Sequence, residues 1–206
     1  TQLMVGSEGT LGIVTKIVLK LLPQNKHNVL LLVPFYKAEQ ACEAVSAIFR
    51  AGIIPSALEF MERDAIDWTL KFVDGLNVEV KDNVQAHLLI EVDGNYPEIL
   101  MQEAEQILAV VEQFEIDEVL FADTEEQKNA LWKMRRAVGE AVKSNSIYKE
   151  EDTVVPRYEL PKLLKGIKEI GAKYGFQSVC YGHAGDGNLH VNIIKGNMTD
   201  DNWKTE

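Results

Sequence analysis

The sequence predicts an α+β domain built on an antiparallel sheet, and three observations support this class. Short apolar strands alternate with segments whose apolar residues recur at helical spacing. The order strand–helix–strand–helix occurs twice in succession, over 29–72 and over 86–142. Such a repeat is typical of a duplicated, ferredoxin-like antiparallel sheet with its helices on one face. A chain of 206 residues, of which 46% are hydrophobic, can bury a core of this size.

The elements of the two repeats follow from local signals. Gly52 suits the left-handed position after a helix, and Pro55 favours an edge strand or a bulge. Thr124 and Gln127 form a capping-box pattern that begins a helix. The first repeat comprises a strand at 29–33, a helix at 38–50, a strand at 53–61 and a helix at 62–72. The second comprises a strand at 86–92, a helix at 97–113, a strand at 117–122 and the capped helix.

The remainder of the chain predicts further elements of the same kind. Glu150, Glu151 and Asp152 indicate a solvated acidic loop before a strand that ends at Val155. Leucines and isoleucines at helical spacing over 160–170 predict a helix with Pro161 in its first turn. Strands are predicted at 177–181 and 189–194, joined by a hairpin turn at 185–187.

Composition excludes several classes of function. A net charge of −11 disfavours binding to nucleic acid or to an anionic membrane surface. The two cysteines, Cys42 and Cys180, form neither a disulfide framework nor a CxxC site, and we interpret both as small buried residues. No apolar run is long enough to span a bilayer. A cytoplasmic location is therefore predicted.

The two ends of the chain predict a piece of a longer polypeptide. The chain begins at Thr1, enters a glycine motif at once and stops in a polar stretch at Glu206. Alternation over 13–22 predicts a half-buried strand. Pro23 and the polar residues 24–28 then indicate a domain boundary.

Three motifs have residues suited to chemistry. In GHAGDGNLH, 182–190, a glycine-rich hairpin folds His183 back towards His190, and two imidazoles form half of a divalent-metal site. An ordinary hairpin with two incidental histidines remains the alternative. In VGSEGTLGIVTK, 5–16, glycines recur every third residue, and the loop amides suit a phosphate or a pyrophosphate. The spacing fits neither a Walker loop nor a Rossmann fingerprint, so a plain connection is the alternative.

The third motif is Arg135-Arg136 on the capped helix. Arg135 lies at the margin of the predicted buried face, where a guanidinium can pair with a carboxylate through two hydrogen bonds. Two solvated surface arginines are the alternative interpretation.

Taken together, these motifs resemble one family. GSEGTLGIVT, LWKMRR and GHAGDGNLH resemble the C-terminal part of the FAD-linked 2-hydroxy-acid oxidases and dehydrogenases of the vanillyl-alcohol-oxidase type. This family includes the glycolate oxidase FAD subunit, D-lactate dehydrogenases and D-2-hydroxyglutarate dehydrogenase. The resemblance implies that 1–22 end an FAD-binding domain and that 23–206 form a substrate-binding (cap) domain. A later Glu-His-Gly segment would supply a third metal ligand and a catalytic histidine.

The resemblance also implies a role for each site residue. Arg135 would grip the substrate carboxylate, and Asn188 would donate a hydrogen bond to the substrate or to the flavin edge. His183 and His190 would hold a divalent ion, either zinc, manganese or iron. The residues implied to contact FAD are Gly6, Ser7, Glu8, Gly9, Thr10, Leu11 and Gly12.

The implied reaction is oxidation of a small D-2-hydroxy acid, with glycolate or D-lactate preferred, and hydride transfer to FAD. The resemblance allows an electron-acceptor subunit or protein, a homodimer and membrane-peripheral attachment through a partner. The isolated chain is expected to be inactive. Two alternatives from other classes remain: a metal-dependent hydrolase that uses the histidine hairpin, and a non-catalytic ferredoxin-like binding module.

Overall fold

One seven-stranded antiparallel sheet organises the computed structural model, which describes residues 2–76, 78–122 and 124–205. The outer ends of the predicted domains lie outside the described residues: Thr1, where the segment 1–22 begins, and Glu206, where the segment 23–206 ends. The strands are β1 (His27–Phe35), β2 (Ala57–Glu62), β3 (Ala86–Gly94), β4 (Leu120–Ala122), β5 (Tyr148–Val154), β6 (Gln177–Gly182) and β7 (Asn188–Ile194). The helices are α1 (Ala38–Arg50), α2 (Arg63–Phe72), α3 (Pro97–Val111), α4 (Glu125–Asn145), α5 (Leu160–Tyr174) and α6 (Asp200–Thr205).

The strand order, β4-β1-β3-β2-β6-β7-β5, shows a duplicated ferredoxin-like arrangement. β1 to β4 with α1 and α3 form the first half, and β5, α5, β6 and β7 repeat its first three strands in mirrored order. The halves meet where β2 pairs with β6, through Phe60↔Gly182 and Met61↔Tyr181. The predicted α+β class is confirmed. The two strand–helix–strand–helix repeats predicted from the sequence, however, both lie in the first half as far as β4.

Helices cover both faces of the sheet, whereas the sequence analysis placed them on one face. In β1, Leu31 and Val33 contact a core that also contains α1, α3 and α5. Leu30 and Leu32 face the other way, into a second core under α2 and α4. Strands buried on both faces are apolar throughout, so their sequences lack the polar alternation that would have revealed the second layer.

Two local predictions were wrong. Residues 13–22 form no strand: their apolar side chains are exposed, and Ile13 is 90% accessible. A strand needs a neighbour for its backbone hydrogen bonds, and no named strand in the described residues pairs with this segment. Conversely, the predicted acidic loop at 150–152 lies within β5, because backbone pairing with β7 tolerates exposed acidic side chains.

The capping box at Thr124 is confirmed, because its hydroxyl accepts from Gln127 N and the Gln127 side chain accepts from Thr124 N. Both cysteines are buried and free, as predicted. Burial, with a smaller effect of Glu62, raises the pKa of Cys180 to about 12, so the thiol is unreactive. Within the described ranges, no helix is both long enough and apolar enough to cross a membrane.

Candidate active site

The histidine hairpin has a backbone that requires glycine. Between β6 and β7 the chain makes a short 3-10 turn over Ala184–Asp186, and Gly187 follows with φ +78°. A Cβ at Gly187 would lie 2.0 Å from the carbonyl oxygen of Val155. Position 187 therefore excludes any side chain. The turn brings the rings of His183 and His190 to a centroid distance of 6.0 Å, as the spacing predicted.

Each histidine has a carboxylate at its Nδ1 atom. His183 Nδ1 lies 2.8 Å from Glu59 Oε1 within hydrogen-bond geometry. His190 Nδ1 lies 3.1 Å from Glu150 Oε1, at ion-pair distance but without the alignment of a hydrogen bond. A carboxylate behind Nδ1 is typical of metal-binding histidines, because it leaves Nε2 as the ligand atom.

The spacing of the two rings is compatible with a shared ion. Two imidazoles that bind one ion through nitrogen at ~2.1 Å have ring centres about 5–6 Å apart. The described residues contain no group of three or more His, Cys, Asp or Glu side chains in a metal-binding arrangement. His183 and His190 therefore offer at most the half-site that the sequence predicts, and metal binding stays a prediction.

Arg135 reaches this region from α4, which crosses the second face of the sheet. Its Nε donates to Glu59 Oε2 at 2.9 Å, and its Nη2 lies 2.7 Å from the same oxygen without hydrogen-bond alignment. The guanidinium is also 5.4 Å from the ring centre of Tyr181, which stacks on His190 at 5.1 Å. Burial, followed by the Glu150 carboxylate, raises the pKa of Tyr181, so its hydroxyl stays protonated.

The packing of α4 fixes this position. Leu131, Met134 and Val138 are buried in the second core, so Arg135 lies on the sheet side and is only 7% exposed. This finding excludes the alternative of a solvated surface residue for Arg135. Its neighbour Arg136 is exposed, with its guanidinium 5.9 Å from the ring centre of Trp132.

Among the described residues, Asn188 and the glycine loop, the other predicted site residues, form no hydrogen bond or ion pair with the side chains of Arg135, Glu59 or the two histidines. The side-chain amide of Asn188 donates to Asp152 Oδ1 at 2.7 Å and to the carbonyl oxygen of Thr153 at 3.2 Å. Both contacts hold Asn188 against β5, so its contact with a substrate stays a prediction. In the glycine loop, Gly6 and Gly9 have φ of +76° and +80°, and a Cβ at either would meet no atom within 4 Å.

Glu59 is the residue that the sequence analysis missed. It lies between Leu58 and Phe60 in β2, and its side chain points to the second face, which carries Met61. The available signal was an acidic residue flanked on both sides by apolar residues of a strand. Buried charges require partners, so such a position indicates a built polar contact.

A buried carboxylate that pairs with an arginine and a histidine, beside a second histidine, is typical of a catalytic or ligand-binding site. The chain matches the family model "FAD linked oxidases, C-terminal domain" over residues 24–206. It therefore belongs to this family. It is 36% identical over its whole length to a D-lactate dehydrogenase of Anaerostipes hadrus, covering 44% of that protein.

A second relative is the glycolate oxidase subunit GlcD of Bacillus subtilis, with 39% identity over 92% of this chain and 40% of that protein. The chain thus spans less than half the length of these relatives. Among solved structures, an alkyldihydroxyacetonephosphate synthase aligns over 98% of the chain with a TM-score of 0.64 and 14% identity. A p-cresol methylhydroxylase aligns over 88% with a TM-score of 0.58 and 12% identity. These two likenesses show the fold alone.

Proposed function

We propose that residues 23–206 of this chain form the substrate-binding domain of an FAD-dependent oxidoreductase that oxidises a small D-2-hydroxy acid to the 2-oxo acid. The observation that carries the proposal is the cluster of Arg135, His183 and His190 on one face of the sheet. A guanidinium suits the substrate carboxylate, and a pair of imidazoles suits an ion beside the substrate hydroxyl. The names of the two relatives, D-lactate dehydrogenase and glycolate oxidase, support this substrate class.

Arg135 binds and orients the substrate in this proposal. Glu59 engages Nε and lies beside Nη2, which leaves Nη1 for the carboxylate of the 2-hydroxy acid. A partly buried guanidinium binds a carboxylate more strongly than an exposed one, because water competes less for its N–H groups. Fixing the carboxylate orients the α-carbon and its hydroxyl for the transfer of hydride.

His183 and His190 hold a divalent ion in this proposal, with zinc, manganese and iron as candidates. The ion supplies Lewis acidity at the substrate hydroxyl. Glu59 and Glu150, which lie at the two Nδ1 atoms, set the orientation of the rings. If Asn188 also donates to the substrate or to the flavin, its amide must first leave Asp152.

Residues 1–22 end the FAD-binding domain in this proposal, and residues 23–206 form the substrate-binding domain. The FAD contacts come from the glycine loop, where open space at Gly6 and Gly9 lets a ligand approach the backbone. When bound, FAD would supply the acceptor for the hydride of the substrate α-carbon. The exposed apolar residues of 13–22 support packing of this segment elsewhere than on the sheet. An acceptor protein or subunit then takes up the electrons.

The test is to purify the full-length protein and to assay it against D- and L-2-hydroxy acids with an artificial electron acceptor. We expect one bound flavin per chain, visible near ~450 nm, and turnover of D-lactate or glycolate but not of L-lactate. Residues 1–206 alone should carry no stoichiometric flavin and should be inactive. A flavin-free full-length protein that hydrolyses esters, or one with neither activity, would refute the proposal in favour of a hydrolase or a binding module.

A further inference from the structure

Glu59 has both carboxylate oxygens occupied by residues of the site. Oε2 accepts from Arg135 Nε, and Oε1 lies 2.8 Å from His183 Nδ1. The Glu59 side chain is 9% exposed. An ionised carboxylate at that depth is costly unless its partners compensate for the lost water. Here the compensation comes from a cation on α4 and from an imidazole that follows β6.

We propose that Glu59 is a positioning residue that fixes the Arg135 guanidinium and the His183 imidazole relative to each other; this inference rests on the proposed function. The carboxylate can only accept from His183, so Nδ1 carries the proton and Nε2 carries the lone pair. Nε2 is thus the atom available to an ion or a substrate. The same carboxylate turns the guanidinium so that Nη1 is the free edge.

The need for such a residue follows from where the two groups originate. Glu59 belongs to the first half of the sheet, whereas His183 belongs to the second. In the described sheet, the backbone pairing between the halves covers two residue pairs of β2 and β6, Phe60↔Gly182 and Met61↔Tyr181, beside the packing of α1 against α5. A side-chain bridge beside such a short seam holds the substrate-binding cation and the histidine at a fixed separation. Misplacement of a binding group by about 1 Å costs on the order of 10²-fold in rate.

The same strand provides a matched control. Glu62 is also buried and paired, with Lys168 Nζ 2.6 Å from its Oε1 and with Cys180 N donating to its Oε2 at 3.0 Å. Its side chain lies on the opposite face of β2, under α5. Glu59→Gln and Glu62→Gln therefore make the same chemical change at the same depth, but only the first touches the site residues.

The experiment compares both variants with the wild type in the full-length flavoprotein. We expect Glu59→Gln to keep its flavin, to lose about 10²-fold in kcat/KM with a fall in kcat, and to bind Zn²⁺ about 10-fold or more weakly. Glu59→Asp, which keeps the charge, should recover part of both losses. Glu62→Gln should lower the melting temperature but leave kcat/KM within about two-fold of the wild type.

Equal kcat/KM and equal Zn²⁺ affinity in Glu59→Gln and the wild type would overturn the inference. If Glu59→Gln does not fold, Glu59→Asp provides the decisive comparison: wild-type kinetics and Zn²⁺ affinity there would likewise overturn it. A wild-type protein that oxidises no 2-hydroxy acid would instead overturn the proposed function. The Zn²⁺ titration would still test Glu59, because it needs no turnover.

Discussion

His87 makes the stability of this domain sensitive to acid. It lies in β3 opposite Pro34 and Met61, is 1% exposed, and its Nδ1 has no hydrogen-bond partner among the described residues. Burial, followed by the positive charge of Arg63, lowers the pKa of His87 from 6.5 to about 4. The neutral form is therefore favoured in the folded state, and the unfolded chain binds more protons between these two values.

The sign and the size follow from this difference. Stability is fully present above the unfolded pKa of 6.5 and is lost as the pH falls towards 4. The full loss is about 3 kcal/mol, and linkage gives about 2 kcal/mol between pH 7 and pH 5. His87→Leu removes the titrating group, so we expect this variant to lose about 2 kcal/mol less than the wild type over that interval.

Urea unfolding followed by circular dichroism at pH 7 and pH 5 measures this difference directly. Other titrating groups contribute to both proteins and cancel in the comparison. His27→Gln, at an exposed position at the start of β1, should keep the pH dependence of the wild type. Identical pH dependence in the wild type and His87→Leu, within about 0.5 kcal/mol, would show that the burial of His87 is compensated by an interaction that the structure does not contain.

The remaining predictions concern the site and its supporting helix. Arg135→Lys in the full-length enzyme should lower kcat/KM by about 10²-fold or more, because a single ammonium group cannot contact Glu59 and the substrate carboxylate at the fixed angle that the planar guanidinium provides; steady-state kinetics with Arg136→Lys as the control measure this. His183→Ala and His190→Ala should each abolish turnover but retain flavin. If metal content and activity persist in these variants, the two histidines do not bind a metal ion that the reaction needs. Thr124→Ala should cost about 1 kcal/mol in urea unfolding, and Thr124→Ser should not.

Much of the fold was predictable because its signals are local. Helix α4 begins where the capping pattern of Thr124 places it, and α1 is followed by Gly52 in the left-handed conformation. β6 and β7 pair across the predicted glycine turn. These features depend on a few neighbouring residues, so their sequence patterns determine them.

The remaining features depend on contacts between distant residues. The alternation over 13–22 predicted a strand, but backbone pairing requires a second chain segment that the pattern cannot supply. The acidic residues of β5 read as a loop, because exposed side chains do not reveal that their backbone pairs with β7. Glu59 lies 76 positions from Arg135 and 124 positions from His183. An acidic residue between apolar ones indicates a polar contact, but no local pattern identifies partners at such distances, so Glu59 could not be assigned to the site from the sequence.

The duplication explains why the site lies where it does. In each half, the strand at the inner end, β2 or β6, has an edge that a single ferredoxin-like unit would leave unpaired. Joining the two edges closes the sheet at the seam, and Tyr181 of β6 is one of the residues paired there. Glu59 approaches from one half and the histidine hairpin from the other, so neither half alone contains the cluster. The contact between Glu59 and His183 crosses this seam, alongside the packing of α1 against α5. The polar cluster therefore both stabilises the junction of the halves and holds the groups proposed to bind substrate.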